Sequence, residues 1–163
     1  MAGPAEPKVA PTVIIRKASL SDVENMLPVI RVFAERNDVL PRARANVVCA
    51  LRDFHVAEVD GRLVGCCALT VIDDDLAEVR TLCVDDSTQG LGIGRKLVEA
   101  CIGEARELRF SRVFALTRVV GFFAKLGFCE VPMTSLPQKV WLDCAHCPSF
   151  PNCDEIAVMR QLA

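Results

Sequence analysis

The sequence predicts one mixed α/β domain, and three observations carry that expectation. The chain has 163 residues, 52% of them hydrophobic, which suits one core and leaves little for a second. Short β-branched runs alternate with longer segments of helical spacing, without an internal repeat. Around Asp60-Gly61 two strand-like runs flank a two-residue turn, the pattern of a tight hairpin.

Met1 to Thr12, MAGPAEPKVAPT, is rich in Ala and Pro and lacks the apolar run of a signal peptide or a membrane span, so it is read as a mobile tail before a single domain over residues 13–163. Thr12 to Arg16, TVIIR, is a β-branched strand. A helix follows, with Ser19 as its N-cap and Asp22 completing a capping box. A shorter helix is expected over Ala43 to Leu51. FHVAEV and RLVGCCALTVI then form the hairpin, because Asp-Gly supplies the positive φ angles that a two-residue loop needs. After the polar turn Asp73 to Asp75, LAEVRTLCV (Leu76 to Val84) reads as a nearly continuously buried strand. Ile93, Leu97, Val98, Cys101, Ile102, Ala105 and Leu108 recur at helical spacing on one face. RVFALT is a strand, VVGFFAKLGF a short helix stopped by Gly127, and EIAVMRQL a closing strand.

Composition narrows the function. A formal charge of −2, with Lys/Arg and Asp/Glu intermixed, gives no basic face for a nucleic acid. Of nine cysteines, Cys49, Cys66, Cys67, Cys83 and Cys101 sit in apolar periodic segments and Cys129 is expected in the core; reduced thiols packed as small hydrophobes point to a reducing, cytoplasmic setting. His55 is expected to pack within its strand rather than act as a base.

The segment Asp86 to Leu97, DSTQGLGIGRKL, carries the chemistry. A strand feeding a glycine-rich turn that opens a helix aims backbone N–H groups at one point, where the helix dipole adds positive charge; such a point holds phosphate. A dinucleotide fingerprint fails because Arg95 and Leu97 stand where glycine is needed, and a P-loop fails at Arg95-Lys96-Leu97. Q-x-x-G-x-G, from Gln89 to Gly94, fits, and in this strand–turn–helix context it resembles the acetyl-CoA pyrophosphate loop of the GNAT superfamily of N-acetyltransferases.

The resemblance covers nearly the whole chain after the tail and implies the GNAT fold: a mixed, mostly antiparallel sheet of about seven strands, splayed between the fourth and fifth, with about four helices. The pantetheine arm of acetyl-CoA would enter that splay beside Leu82, Cys83, Val84 and Phe123. Main-chain N–H groups of Gln89, Leu91, Gly92, Ile93 and Gly94 would face the pyrophosphate, with Gly90, Arg95 and Lys96 completing the site. Glu78 matches the position of a catalytic glutamate in many GNAT enzymes, and a main-chain N–H near Leu82 or Cys83 would polarise the thioester carbonyl. Many members protonate the leaving thiolate with a tyrosine; this chain has none, and Phe123 stands in that place.

LPRARANVVCALRDFHVAE, Leu116-Thr117, FFAKLGF and KVWLDCAHCPSFPNCDEIAV are similar to short, single-domain N-acetylglutamate synthases. That resemblance implies acetylation of the α-amino group of L-glutamate, the first step of arginine biosynthesis, by direct transfer in a ternary complex. A dicarboxylate calls for cations; Arg42 and Arg80 are the first candidates, with Thr117, Arg118 and Lys139 beside them, and each cation has a plainer reading as a solvated surface charge. Another amino acid, a small amine or a protein N-terminus stays open as acceptor, as do a non-catalytic acetyl-CoA-binding or metal-sensing module and a homodimer.

An excursion over residues 133–154 precedes the closing strand, with Trp141 as its anchor. Its Cys144, Cys147 and Cys153, with His146 and Asp154 near them, offer three thiolates and a fourth ligand for zinc. The second half lacks a paired metal-ligand spacing, so a loop of reduced thiols braced by Pro148 and Pro151 is the alternative.

Overall fold

A computed structural model describes residues 6–137, 144, 146, 147 and 153–162; Lys139, Trp141, Pro148 and Pro151 lie outside them. The strands are β1 (Val13–Lys17), β2 (Phe54–Val59), β3 (Arg62–Asp73), β4 (Leu76–Val84), β5 (Arg112–Thr117), β6 (Cys129–Glu130) and β7 (Ile156–Gln161). The helices are α1 (Val23–Glu35), α2 (Arg44–Cys49), α3 (Ile93–Glu107) and α4 (Val120–Ala124). One seven-stranded sheet runs in the order β1-β2-β3-β4-β5-β7-β6. Every pairing is antiparallel except β4 with β5, which is parallel.

Each face of the sheet carries helices because alternate strand residues point to opposite sides. On one face Val23, Met26 and Ile30 of α1 and Val47 of α2 pack on Phe54, Val56, Cys66, Ala68 and Cys83. On the other, Ile93, Leu97, Val98, Cys101, Ile102 and Ala105 of α3, together with Phe123 of α4, pack on Ala57, Val64, Cys67, Ala77 and Val79; Leu108, the last member of the predicted stripe, is instead the exposed C-cap of α3. The Asp60-Gly61 turn has φ of 49° and 80°, the two positive angles that the hairpin demanded.

Two thiols depart from expectation. Cys49 and Cys129 are exposed: Cys49 closes the short α2, and Cys129 lies on β6, the two-residue edge strand. His55 is buried as expected, with Nδ1 at 3.7 Å from the Cys101 sulfur and Nε2 at 3.5 Å from Glu104.

The start of α1 is held by charge. The Asp22 carboxylate accepts from the Ser19 backbone N–H at 2.7 Å and from both Arg16 guanidinium ends at 2.7 and 2.8 Å. Arg16 also reaches Glu58 at 2.5 Å, so the cap ties α1 to β1 and β2. Asp22 is buried, and its Arg16 partner holds its carboxyl well below the usual carboxylate range. A carboxyl depressed by folding stabilises the native state above its unfolded pKa, and that contribution fades as pH falls. Asp22→Ala should cost about 2 kcal/mol in urea unfolding at neutral pH, and its deficit against wild type should shrink below about pH 4.

Candidate active site

β4 and β5 pair only at one end, through Leu76–Arg112, Ala77–Val113 and Glu78–Phe114. Beyond Glu78, β4 stays with β3 while β5 stays with β7, so the two strands part. The ladder with β3 shifts register between Cys66–Cys83 and Ala68–Arg80, leaving an extra residue on β4. At that bulge Thr81 has φ of 54°, a left-handed angle that a β-branched residue adopts only under constraint from its surroundings. Thr81 is buried, and Arg42 Nη2 donates to its Oγ1 at 3.4 Å. The bulge re-aims the backbone around Leu82 toward the gap, a common use of a bulge beside a reactive site. Leu82, Val84, Gly94, Thr117, Phe122 and Phe123 line the resulting groove.

The glycine-rich turn closes one end of that groove. Asp85 accepts from the Ser87 N–H at 2.9 Å, and the Thr88 hydroxyl donates back to the Asp85 carbonyl at 2.8 Å. Gly92, at φ 70°, is the N-cap of α3, and the bond from the Lys96 N–H to the Gly92 carbonyl, at 3.0 Å, begins the helical ladder. The N–H groups of Ile93, Gly94 and Arg95 therefore head the helix without intrahelical acceptors. Gln89 lines the groove and also braces the turn: its N–H donates to the Asp86 carbonyl at 3.4 Å and its side-chain amide to the Asp86 carboxylate at 3.1 Å. Arg95 pairs with Glu99 of its own helix at 2.9 Å, and Lys96 is exposed. A Cβ on Gly94 would stand 3.6 Å from the Phe122 ring and 3.8 Å from Val84, on the wall of the groove.

A second, smaller pocket adjoins the groove and is lined by Arg42, Glu78, Arg80, Leu116, Cys144 and Glu155, among others. Glu78 is buried, with Oε2 at 3.3 Å from Arg80 Nε; their two-residue spacing puts both on one face of β4. Arg118 follows β5 and acts as a strap. Its Nη1 donates to the Asn37 carbonyl at 2.7 Å and its Nε to Asp154 at 2.5 Å, while Asp38 and Glu155 each lie at 3.9 Å. The strap joins the loop after α1 to the lead-in of β7, and Arg118, while held by these partners, also lines the groove. The same partner holds the Asp154 carboxyl below its usual range.

Residues 27–128 match the acetyltransferase (GNAT) family. The chain belongs to that family. Over 148 residues it is 37% identical to N-acetyltransferase CT2212 of Chlorobaculum tepidum, covering 91% of this chain and 96% of that protein. Over 131 residues it is 36% identical to an amino-acid acetyltransferase of Mycobacterium tuberculosis, covering 78% of this chain and 75% of the other. Among solved structures, N-acetylglutamate synthase from Neisseria gonorrhoeae, complexed with coenzyme A and N-acetyl-glutamate, superimposes with a TM-score of 0.85 at 30% identity, over 96% of this chain and 36% of that one.

In this acetyltransferase Leu82, Val84 and Phe123 line the groove, whereas the Cys83 side chain packs in the core beneath α1 and Cys83 pairs with Cys66 of β3. Thr117 also lines the groove, but its hydroxyl accepts from the Val119 N–H at 2.9 Å. Phe122 is a groove residue that sequence reasoning missed; it meets Phe123 edge-to-face at 5.1 Å, and the Phe-Phe pair opening a short helix was the available signal. Of the two readings of the cysteine-rich segment, the zinc site finds no support: among the described residues no group of three His, Cys, Asp or Glu side chains is placed to hold a metal ion. Instead the Cys153 thiol donates to Glu155 at 3.8 Å, and Cys144 and Cys147 line the pocket above Glu78. Burial pushes the Cys144 and Cys153 thiols above their ordinary range.

Gly94→Val would push a branched side chain from the wall into the groove without a helix-propensity penalty relative to glycine. Calorimetry should show coenzyme A binding at least about tenfold weaker, a loss of roughly 1.4 kcal/mol, with the unfolding midpoint unchanged or raised.

Proposed function

We propose that the enzyme transfers the acetyl group of acetyl-CoA to the α-amino group of L-glutamate, directly and within a ternary complex, as the first step of arginine biosynthesis. The observation that carries this reading is that Arg42, Arg80 and Glu78 converge in one pocket, which adjoins a groove beside the head of α3. The groove suits coenzyme A: its pyrophosphate lies against the first-turn amides of α3, and its pantetheine takes the place of strand partners where β4 leaves β5.

Two guanidinium groups match an acceptor with two carboxylates and disfavour a polyamine, whose cations call for an acidic lining. The relatives named amino-acid acetyltransferases support an amino acid, and the N-acetyl-glutamate in the gonococcal neighbour supports glutamate. Glu78 takes the first proton, because an ammonium has no lone pair until it loses one. Beyond the Thr81 bulge the main-chain N–H near Leu82 points toward the thioester carbonyl and stabilises the charge that develops on its oxygen. Among the described residues no helix is long and apolar enough to cross a membrane. Buried free thiols at Cys66, Cys67, Cys83 and Cys101 favour a reducing cytoplasm.

Release of free thiol from acetyl-CoA, measured against a panel of amino acids and amines, should give its highest kcat/KM with glutamate. Brisk turnover with another acceptor and none with glutamate would overturn the substrate assignment. Arg42→Gln should raise the KM for glutamate at least about tenfold while leaving that for acetyl-CoA in place. Glu78→Gln should lower kcat by about 10²-fold with coenzyme A binding retained.

A further inference from the structure

Transfer of an acetyl group to an ammonium removes two protons from nitrogen. The first leaves before attack, to Glu78 in the reading above. The second leaves the tetrahedral adduct, whose collapse expels sulfur, and a departing thiolate gains from a proton delivered as it leaves. The described lining of the groove offers few groups for that second proton. It includes the guanidinium groups of Arg80 and Arg118, the hydroxyls of Thr81 and Thr117, and the carboxyls of Asp38 and Glu155. The chain has no tyrosine. Guanidinium groups do not give up protons in proteins, and the Thr81 and Thr117 hydroxyls already accept from Arg42 Nη2 and the Val119 N–H and are too weakly acidic or basic to hold the proton between steps, which leaves the two carboxyls as proton carriers.

Glu155 has the better position. It immediately precedes β7, whose register pairs Ile156 with Thr117, so it sits beside the end of β5 where the strands have parted. Like Asp38, it lines both the acceptor pocket and the groove, at the junction where amine and thioester must meet; its place beside β5 and its deeper burial set it apart. Its side chain is 22% exposed, against 45% for Asp38. Glu155 Oε1 lies 3.9 Å from Arg118 Nη1, and Oε2 accepts from the Cys153 thiol at 3.8 Å. Glu78 lines the acceptor pocket but is absent from the described lining of the groove.

We propose that Glu155 is a catalytic residue that carries the second proton, taking it from the nitrogen of the tetrahedral adduct and delivering it to the coenzyme A sulfur. The nitrogen lone pair forms the C–N bond while the carbonyl π electrons move to oxygen. On collapse the C=O bond re-forms and the C–S electrons leave with sulfur. The proton passes from nitrogen to the carboxylate and then to sulfur, and Glu155 returns to its starting state. The net change is ammonium plus thioester to amide, thiol and one proton, the last released through Glu78. The groups facing Glu155 set its titration: burial pushes the carboxyl up, as do Asp154 and Asp38, while Arg118 and the Cys153 thiol pull it down. A proton carrier needs this balance, ionised enough to accept and basic enough to hold.

This proposal rests on the acetyl-transfer reading, so wild-type turnover with an amino acid is established first; its absence counts against that reading alone. Glu155→Gln should then lower kcat by about 10²-fold and abolish one acid limb of the kcat–pH profile, with the coenzyme A dissociation constant within about twofold of wild type. Arg118→Gln removes the cation that holds Glu155 down, so that same limb should move to higher pH. Glu155→Asp keeps a carboxyl and should keep the limb at reduced kcat. A Glu155→Gln enzyme within about threefold of wild-type kcat, or one retaining that limb, overturns the proposal. So does an unshifted limb in Arg118→Gln, which a purely structural role for Glu155 would produce.

Discussion

The parting of β4 from β5 is the constraint on which the rest of the structure depends. A parallel pair that continued along both strands would satisfy the backbone and leave no groove. Here the pairing stops at Glu78–Phe114, and the chain has arranged other elements to keep it stopped. The bulge at Thr81 redirects β4, Arg42 holds the Thr81 side chain from the loop before α2, and β7 inserts on the far side of β5, which keeps β5 from swinging back. Backbone groups exposed in this way need partners of their own, and an extended amide-bearing ligand such as pantetheine supplies them as a strand would.

Charge is organised around that gap in two layers. Glu78 and Arg80, paired on one face of β4, form the inner layer and lie among apolar neighbours, where an ion pair is strong only if both members stay in register. The outer layer is Arg118 with Asn37, Asp38, Asp154 and Glu155. It fixes the lead-in of β7 against the loop after α1, the two segments that border the acceptor pocket. A cation at position 118 thus shapes the pocket through its protein partners, and Glu155 sits where the two layers meet.

Much of this was legible before the coordinates. The order of strands and helices followed from periodicity, the hairpin from Asp60-Gly61, and the head of α3 from the glycine pattern, because those signals are local and each element's own backbone enforces them. Strand alternation places Glu78 and Arg80 on one face of β4. What the sequence concealed depends on distant partners. Nothing near Thr81 announces a left-handed residue, since its angle is imposed by β3. The bond by which Gln89 braces its turn went unread because it forms only once the turn from Asp86 closes. Arg118 looked like a free cation because Asp154 and Asn37 are far from it along the chain. Glu155 was passed over because its neighbourhood is made by β5, and Cys129 was assigned to the core because an edge strand two residues long leaves no periodicity to read.

Amide hydrogen exchange with and without coenzyme A tests the central claim most directly, because it reports on backbone groups one segment at a time. Occupation of the space between the parted strands predicts that exchange slows over residues 80–84 and at the head of α3, with β1 and β2 unaffected. Unchanged exchange in both segments at saturating ligand, or protection confined to another part of the sheet, would contradict it.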